Sequence, residues 1–185
     1  MCGRFYISDE DNYIYSKLIL EALKLDKKMS NDIFPSNRYP VMLTKNGELF
    51  LSVKKWGFRT SKGPSLIINA RAETLIQKPM FRSSFENRRC IIKMSGFYEW
   101  DKQKNKHRVF SEESRLLDAA GLYTNFEGEE YFTIITTQAN ASLDGIHERM
   151  PLILSHDQGR LWLSERTAAK DLLEIIPMPL SYTVE

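Results

Sequence analysis

Apolar positions along the chain recur with two different periods. Ile14, Leu18, Ala22 and Leu25 fall three or four apart, and Ser8 followed by Asp11 supplies an N-cap, so an amphipathic helix is predicted over residues 9–25. A polar, Pro- and Asn-rich stretch over 31–39 reads as a loop, and beyond it the spacing shortens to that of strands. Val41-Met42-Leu43 and the 49–53 segment flank Asn46-Gly47, a pair that tolerates the positive φ of a type I′ turn, so a hairpin ending near Trp56 is expected. A turn over 61–64, a short strand over 66–68 and a short helix over 70–76, stopped ahead of Pro79, follow.

Cys90-Ile91-Ile92 and the segments 96–100, 108–110, 117–123 and 131–137 form a train of short strands, with polar turns at 102–106 and 127–128. A strand over 151–154, a helix capped by Ser164 and running through Ile175, and a returning strand over 180–184 complete the chain. Strands with a few helices and no regular βαβ alternation predict an α+β fold. The expected architecture is a strongly bent, mostly antiparallel sheet or partial β-barrel with a few flanking helices, as one domain over residues 1–185.

Composition narrows the class. Of 185 residues, 42% are hydrophobic and 27% charged, which excludes a disordered tail, a collagen-like repeat and a coiled coil. The net charge of +2 is too mild to imply a polyanionic partner unless the cations cluster. No apolar run approaches the length of a membrane span, and Met-Cys-Gly-Arg-Phe-Tyr carries no signal-like stretch, so a cytoplasmic protein with two free thiols and no membrane partner is expected. Scattered histidines and two distant cysteines give no zinc spacing, and no acidic cluster suits magnesium, so no metal and no cofactor are expected. His107 and His156 lie in polar turn contexts and receive no role.

Four segments can carry chemistry. Loss of the initiator Met would put Cys2 at the amino terminus, where an α-amine of pKa about 7.7–8.0 attacks aldehydes and the thiol of the same residue can close a five-membered thiazolidine. Cys2 also reads as an incidental small residue. Asn69-Ala70-Arg71-Ala72-Glu73-Thr74 presents amide and guanidinium donors suited to an anion, or else caps a helix with Arg71 paired to Glu73. Within Ser95-Gly96-Phe97-Tyr98-Glu99-Trp100, burial among aromatics would raise the Glu99 carboxyl toward neutrality and suit it to acid/base work, whereas an outward-facing Glu99 would do nothing of the kind. His147, beside Arg149 in Ile146-His147-Glu148-Arg149-Met150-Pro151, can shuttle a proton. Arg4, Arg38, Arg71, Arg82, Arg88, Arg89 and Arg149 are interleaved with Trp56, Phe81, Tyr98 and Trp100, the pairing of cations and rings that single-stranded nucleic acid requires, and nearby arginines are expected to favour the Cys2 thiolate.

Met-Cys-Gly-Arg-Phe at the start, Asn-Ala-Arg-Ala-Glu-Thr at 69–74, Phe-Arg at 81–82, Arg-Arg-Cys at 88–90, Gly-Phe-Tyr-Glu-Trp at 96–100, Ala-Gly-Leu-Tyr at 120–123, Thr-Ile-Ile-Thr-Thr at 133–137 and His-Glu-Arg-Met-Pro at 147–151 occur in the order seen in the SRAP family, the SOS response-associated peptidases. The chain resembles that family over nearly its whole length. The resemblance implies a protein that binds single-stranded DNA at abasic sites and crosslinks to them through Cys2, with Asn69 holding the sugar, Glu99 assisting imine chemistry and His147 near the opened deoxyribose. It further implies phosphate contacts from Arg4, Arg71 and Arg149, support of the DNA by Trp56, and a DNA site lined by Gly3, Pro35, Asn37, Phe81 and Arg82. Autopeptidase removal of Met1, abasic-site lyase activity, a monomeric state and association with the nucleoid on damaged DNA belong to the same expectation.

Two rival readings remain at this stage. One is an N-terminal-cysteine peptidase or amidase acting on external substrates, and the other a non-catalytic single-strand binding module. The chain also departs from the family pattern: Phe34-Pro35-Ser36-Asn37-Arg38 stands where many members carry Tyr-Asn-x-Ala-Pro-Thr-Gln, and it ends at Glu185, where relatives often continue.

Overall fold

A computed structural model describes residues 2–11, 30–60 and 63–185; most of the expected first helix, and the core of the 61–64 turn, lie outside them. The strands are β1 (Arg4–Tyr6), β2 (Asp32–Ile33), β3 (Arg38–Lys45), β4 (Glu48–Trp56), β5 (Phe58–Thr60), β6 (Gly63–Ile67) and β7 (Asn69–Arg71). After helix α1 (Pro79–Asn87) come β8 (Arg89–Met94), β9 (Gly96–Trp100), β10 (Lys106–Phe110), β11 (Leu117–Phe126), β12 (Glu129–Gln138), β13 (Arg149–Pro151) and β14 (Ile153–Leu154). Helices α2 (His156–Ser164) and α3 (Arg166–Asp171) precede the final strand β15 (Ser181–Val184).

The predicted hairpin forms as expected, with Asn46 at φ 53° and Gly47 at φ 81° linking β3 to β4. Its consequence is larger than a hairpin. β4 pairs in parallel with β12, β12 with β11, β11 with β8, and β8 meets β3 at Met42↔Ile91, so five strands close into a barrel. The sheet expected to be a partial barrel is therefore complete at this ring, because the two-residue parallel contact Tyr131↔Lys55 and Phe132↔Trp56 joins strands far apart in sequence. A second antiparallel sheet, ordered β15-β10-β9-β1-β2, lies against the barrel. Phe5, Ile33, Phe97 and Val109 from that sheet share one core with Tyr39, Trp56, Ile92, Phe132 and Ile134 of the barrel. Gly96 makes the small sheet possible, since a Cβ there would lie 2.1 Å from the Val109 carbonyl oxygen and 2.5 Å from the Tyr6 hydroxyl.

The helices correct the sequence reading. Residues 70–76 form no helix: Asn69–Arg71 is drawn into a parallel pairing with Ile134, Ile135 and Thr136 of β12, and turns follow. Pro79 starts a helix rather than ending one, because a missing N–H costs nothing in the first turn. The helix expected to run through Ile175 forms as α3 and a 3₁₀ turn at Leu172–Glu174, but its N-cap is Glu165. Ser164 instead ends α2, a helix absent from the sequence reading, whose cap is Ser155, with its side chain accepting from the Gln158 N–H while Gln158 Oε1 accepts the Ser155 N–H. Both helices bury one face, Phe81 and Phe85 with Trp162 and Leu163, over Ile91, Ala120, Leu122 and Ile135. His156 is the first residue of α2, and His107 lies within β10, buried, with Nε2 3.0 Å from Asp101 Oδ2, so neither histidine occupies a turn.

Candidate active site

Cys2 leads into β1, which runs between β2 and β9 and thereby fixes the amino-terminal segment against the barrel. Asn69, at the start of β7, donates from Nδ2 to the Cys2 carbonyl oxygen at 2.9 Å, and its Oδ1 is buried with no hydrogen-bond partner among the described residues. On β9, alternation sends Tyr98 and Trp100 to one face and Phe97 and Glu99 to the other, toward the barrel. Glu99 is 2% exposed and Cys2 wholly buried. Burial pushes the Glu99 carboxyl above its ordinary value, opposed by the positive chain terminus and by His147. His147 follows a 3₁₀ turn at Ala141–Leu143, and its Nδ1 accepts the Arg149 backbone N–H at 2.9 Å, so in the neutral ring the proton sits on Nε2. Segments scattered over most of the chain thus converge on one carboxyl group in a dry site.

The thiol does not match expectation. Desolvation pushes the Cys2 thiol far above its usual range, and the neighbouring Glu99 carboxylate pushes it the same way. Arginines do not favour a thiolate here; Cys2 is held as the protonated thiol, and a base must take its proton when sulfur attacks.

The expected DNA-contacting residues divide into two groups. Trp56 is wholly buried, packs on Phe5 at 5.1 Å and Phe132 at 6.2 Å between ring centroids, and donates from Nε1 to the Ile68 carbonyl oxygen at 3.0 Å. Phe81 is also buried, against Phe58. Neither ring can support DNA directly, because core packing consumes both faces. Trp56→Ala is accordingly expected to lower unfolding stability by about 3–5 kcal/mol in urea titration, as for other large-to-small core substitutions. Arg88 and Arg89 are spent on the carbonyls of Tyr123, Phe85, Glu86 and Trp162, and Arg38 on Glu129. Arg82 is exposed on α1 and lines a separate groove with Phe85, Glu86 and Arg166.

Arg4, Arg71 and Arg149 remain beside the site. Arg71 is exposed two residues after Asn69. Arg149 forms a bidentate ion pair with Glu73 at 2.6 and 3.0 Å, holding that carboxyl below its ordinary value, and also donates to the Thr136 carbonyl oxygen. Gly3 is partly buried between Cys2 and Arg4. Asn37 closes its own turn by accepting the Phe34 N–H at 3.0 Å, and Pro35 lies within that turn. Phe34 was not singled out by the sequence, yet its exposed ring lies 4.5 Å from the Arg4 guanidinium. A cleft of about 250 Å³ opens beside His147, lined by Lys102, Gln138, Asp144 and Glu148 among others, and Cys2 does not line it. Among the described residues no cluster of three or more His, Cys, Asp or Glu can hold a metal ion.

The family model for the SOS response associated peptidases (SRAP) matches residues 1–183. The abasic site processing protein YoaM of Bacillus subtilis is 32% identical over 195 residues, an alignment covering 97% of this chain and 86% of that protein. The abasic site processing protein YedK of Escherichia coli is 32% identical over 194 residues, covering 95% of this chain and 85% of that one. A crystal structure of a protein from Bacteroides thetaiotaomicron superposes with a TM-score of 0.81 at 23% identity, covering 99% of this chain and 91% of its own, so the fold is shared.

Proposed function

The chain belongs to the SOS response associated peptidase family, and on that footing we propose that it processes abasic sites in single-stranded DNA by forming a covalent crosslink through Cys2. One observation carries the reading: Asn69 touches Cys2, the Cys2 thiol feels Glu99, and Glu99 feels His147. Hydrolysis of the bond ahead of Cys2 consumes one water, releases Met1 and leaves a free α-amine.

The chemistry balances through one carboxyl group. The amine adds to the aldehyde carbon of the ring-opened sugar, giving a carbinolamine. Glu99, kept protonated to higher pH than an exposed carboxyl, gives its proton to the departing hydroxyl, and water leaves the resulting iminium. The Cys2 sulfur then bonds to the same carbon while its proton passes to the Glu99 carboxylate, closing the thiazolidine. Glu99 ends as it began, and the net loss is one water. Burial, and after it the Glu99 charge, raise the thiol, so the carboxylate left once water has departed is the neighbouring base that takes the thiol proton on attack. Asn69 Oδ1, buried without a partner among the described residues, accepts from the amine or a sugar hydroxyl, and His147 Nε2–H donates to the deoxyribose oxygen. Lyase activity arises from the same imine when elimination of the 3′ phosphate outruns sulfur attack.

Incubated with an oligonucleotide holding one abasic site, the wild-type protein is expected to give a band that survives heat and detergent, and none with the undamaged oligonucleotide. Cleavage of added peptides without any DNA adduct would instead place the protein with the N-terminal-cysteine amidases.

A further inference from the structure

Two segments of the site lie on opposite edges of one strand. Thr136 of β12 pairs with Arg71 of β7 and also with Pro151 of β13, and a strand has only two edges, so β7, which begins at Asn69, and β13, which follows His147, flank β12. Backbone pairing therefore holds the two segments about two strand spacings apart, roughly 10 Å, and gives them no ladder of their own. Asn69 is fixed to Cys2 by its hydrogen bond to the Cys2 carbonyl oxygen, but the sheet ladders alone do not set His147 against that pair.

One side chain spans the gap. Arg149 opens β13 on one edge of β12, yet its Nη2 donates at 2.6 Å to the Thr136 carbonyl oxygen, which also takes the Ala72 N–H at 2.9 Å on the β7 edge. Both ends of its fork then reach Glu73, Nη1 to Oε1 at 2.6 Å and Nη2 to Oε2 at 3.0 Å, a bidentate geometry that fixes direction as well as distance. Glu73 is a firm post, because it stands in the turn after β7 between buried Ala72 and Leu75, and the Thr74 and Leu75 N–H groups both return to the Arg71 carbonyl oxygen. At its other end Arg149 supplies the backbone N–H that His147 Nδ1 accepts at 2.9 Å. The Arg149 side chain is only 16% exposed and its fork rests on protein oxygens, so it is built as a strut.

We propose that Glu73 is a positioning residue for the reaction at Cys2: by clamping Arg149 across β12 it holds the His147 imidazole, as the Nε2–H tautomer, in register with Asn69. The inference rests on the crosslinking reading, and Glu73 enters the chemistry only through Arg149 and His147. A carboxylate beside a DNA site also repels phosphate, so a Glu73 that served only as local charge would weaken binding, and its removal would tighten it. Positioning predicts a different balance, a loss in rate with little change in affinity.

Glu73→Gln keeps the size of the side chain and removes the charge that grips the fork. In single-turnover reactions with saturating protein and an oligonucleotide holding one abasic site, it is expected to crosslink about 10–100-fold more slowly than wild type, while Kd for the undamaged oligonucleotide stays within about twofold. Glu86→Gln, which removes a carboxylate 3.9 Å from Arg166, matches wild type in both. In a His147→Gln background Glu73→Gln costs little more, since the two residues act as one unit. Nitrogen NMR of the three histidine rings gives a readout without DNA. Neutral His147 is expected as the Nε2–H tautomer in the wild type and as a mixture of both tautomers in Glu73→Gln, whereas Glu73→Asp, which keeps the carboxylate, retains Nε2–H. A wild-type rate in a folded Glu73→Gln, tighter DNA binding with a faster crosslink, a full additive loss on top of His147→Gln, or an unchanged tautomer overturns the proposal. Failure of the wild type to crosslink, with the tautomer shift intact, overturns the crosslinking reading and leaves Glu73 as the residue that sets His147.

Discussion

Cys2→Ala is expected to form no heat-stable adduct with abasic DNA, a loss of at least 10³-fold, on the order of what removing a covalent nucleophile costs in other enzymes. The reason is geometric as much as chemical. An amine alone gives an imine, which water reverses, whereas the sulfur tethered to the same residue traps the carbon intramolecularly. The variant keeps the binding surface intact, because the Asn69 contact is to the backbone carbonyl of residue 2 rather than to its side chain. Oligonucleotide affinity should therefore stay within about twofold of wild type while the covalent band disappears. Full-strength crosslinking by Cys2→Ala would contradict the assignment.

Glu99→Gln is expected to separate activity from stability in opposite directions. Glutamine can neither give the proton that expels water nor receive the one from the thiol, so crosslinking should slow by about 10²–10⁴. Stability should rise. The folded-state pKa of Glu99 lies above its unfolded value, so between the two values the native protein retains a proton that the unfolded chain has released. Stability then falls as pH climbs through that window, and the penalty is complete above it. Glutamine carries no such penalty, so at neutral pH its melting temperature should exceed wild type by roughly 2–4 °C for each kcal/mol of relieved charge burial, with the gap closing below about pH 4. A melting temperature below wild type at pH 7 would mean that Glu99 is chiefly a structural hydrogen-bonding group.

Sequence pattern was a good guide wherever one face of a strand is buried and the other wet. The β3–β4 hairpin was readable from Asn46-Gly47 and its flanks because the turn's positive φ values select those residues. Barrel closure was not readable, since it depends on two parallel-paired residues at the ends of β4 and β12. The helix errors have local causes. Pro79 carries two meanings, breaker and first helical residue, and only the apolar spacing of Phe81 and Phe85 after it could have decided. The Ser155-to-Gln158 capping box was present in the sequence and marks the true start of α2.

The chemistry showed a similar division. The ordered motifs single out Cys2, Asn69, Glu99 and His147, and the structure sets Asn69 on the Cys2 carbonyl oxygen and buries Glu99 with its carboxyl above the ordinary value, the buried one of the two alternatives that the sequence offers. Trp56 and Phe81 could not be judged from sequence, because an aromatic ring in a basic neighbourhood serves a core or a nucleic acid equally well until burial is known. The thiolate expectation failed because proximity of arginines along the chain does not outweigh desolvation at a wholly buried sulfur.

Tandem mass spectrometry of the isolated protein–DNA adduct tests the central assignment most directly. Met1 should be gone, the adduct mass should equal the shortened protein plus the abasic oligonucleotide minus one water, and fragmentation should place the DNA remnant on residue 2. An adduct that still carries Met1, or one whose remnant maps to a lysine or to Cys90, would contradict it.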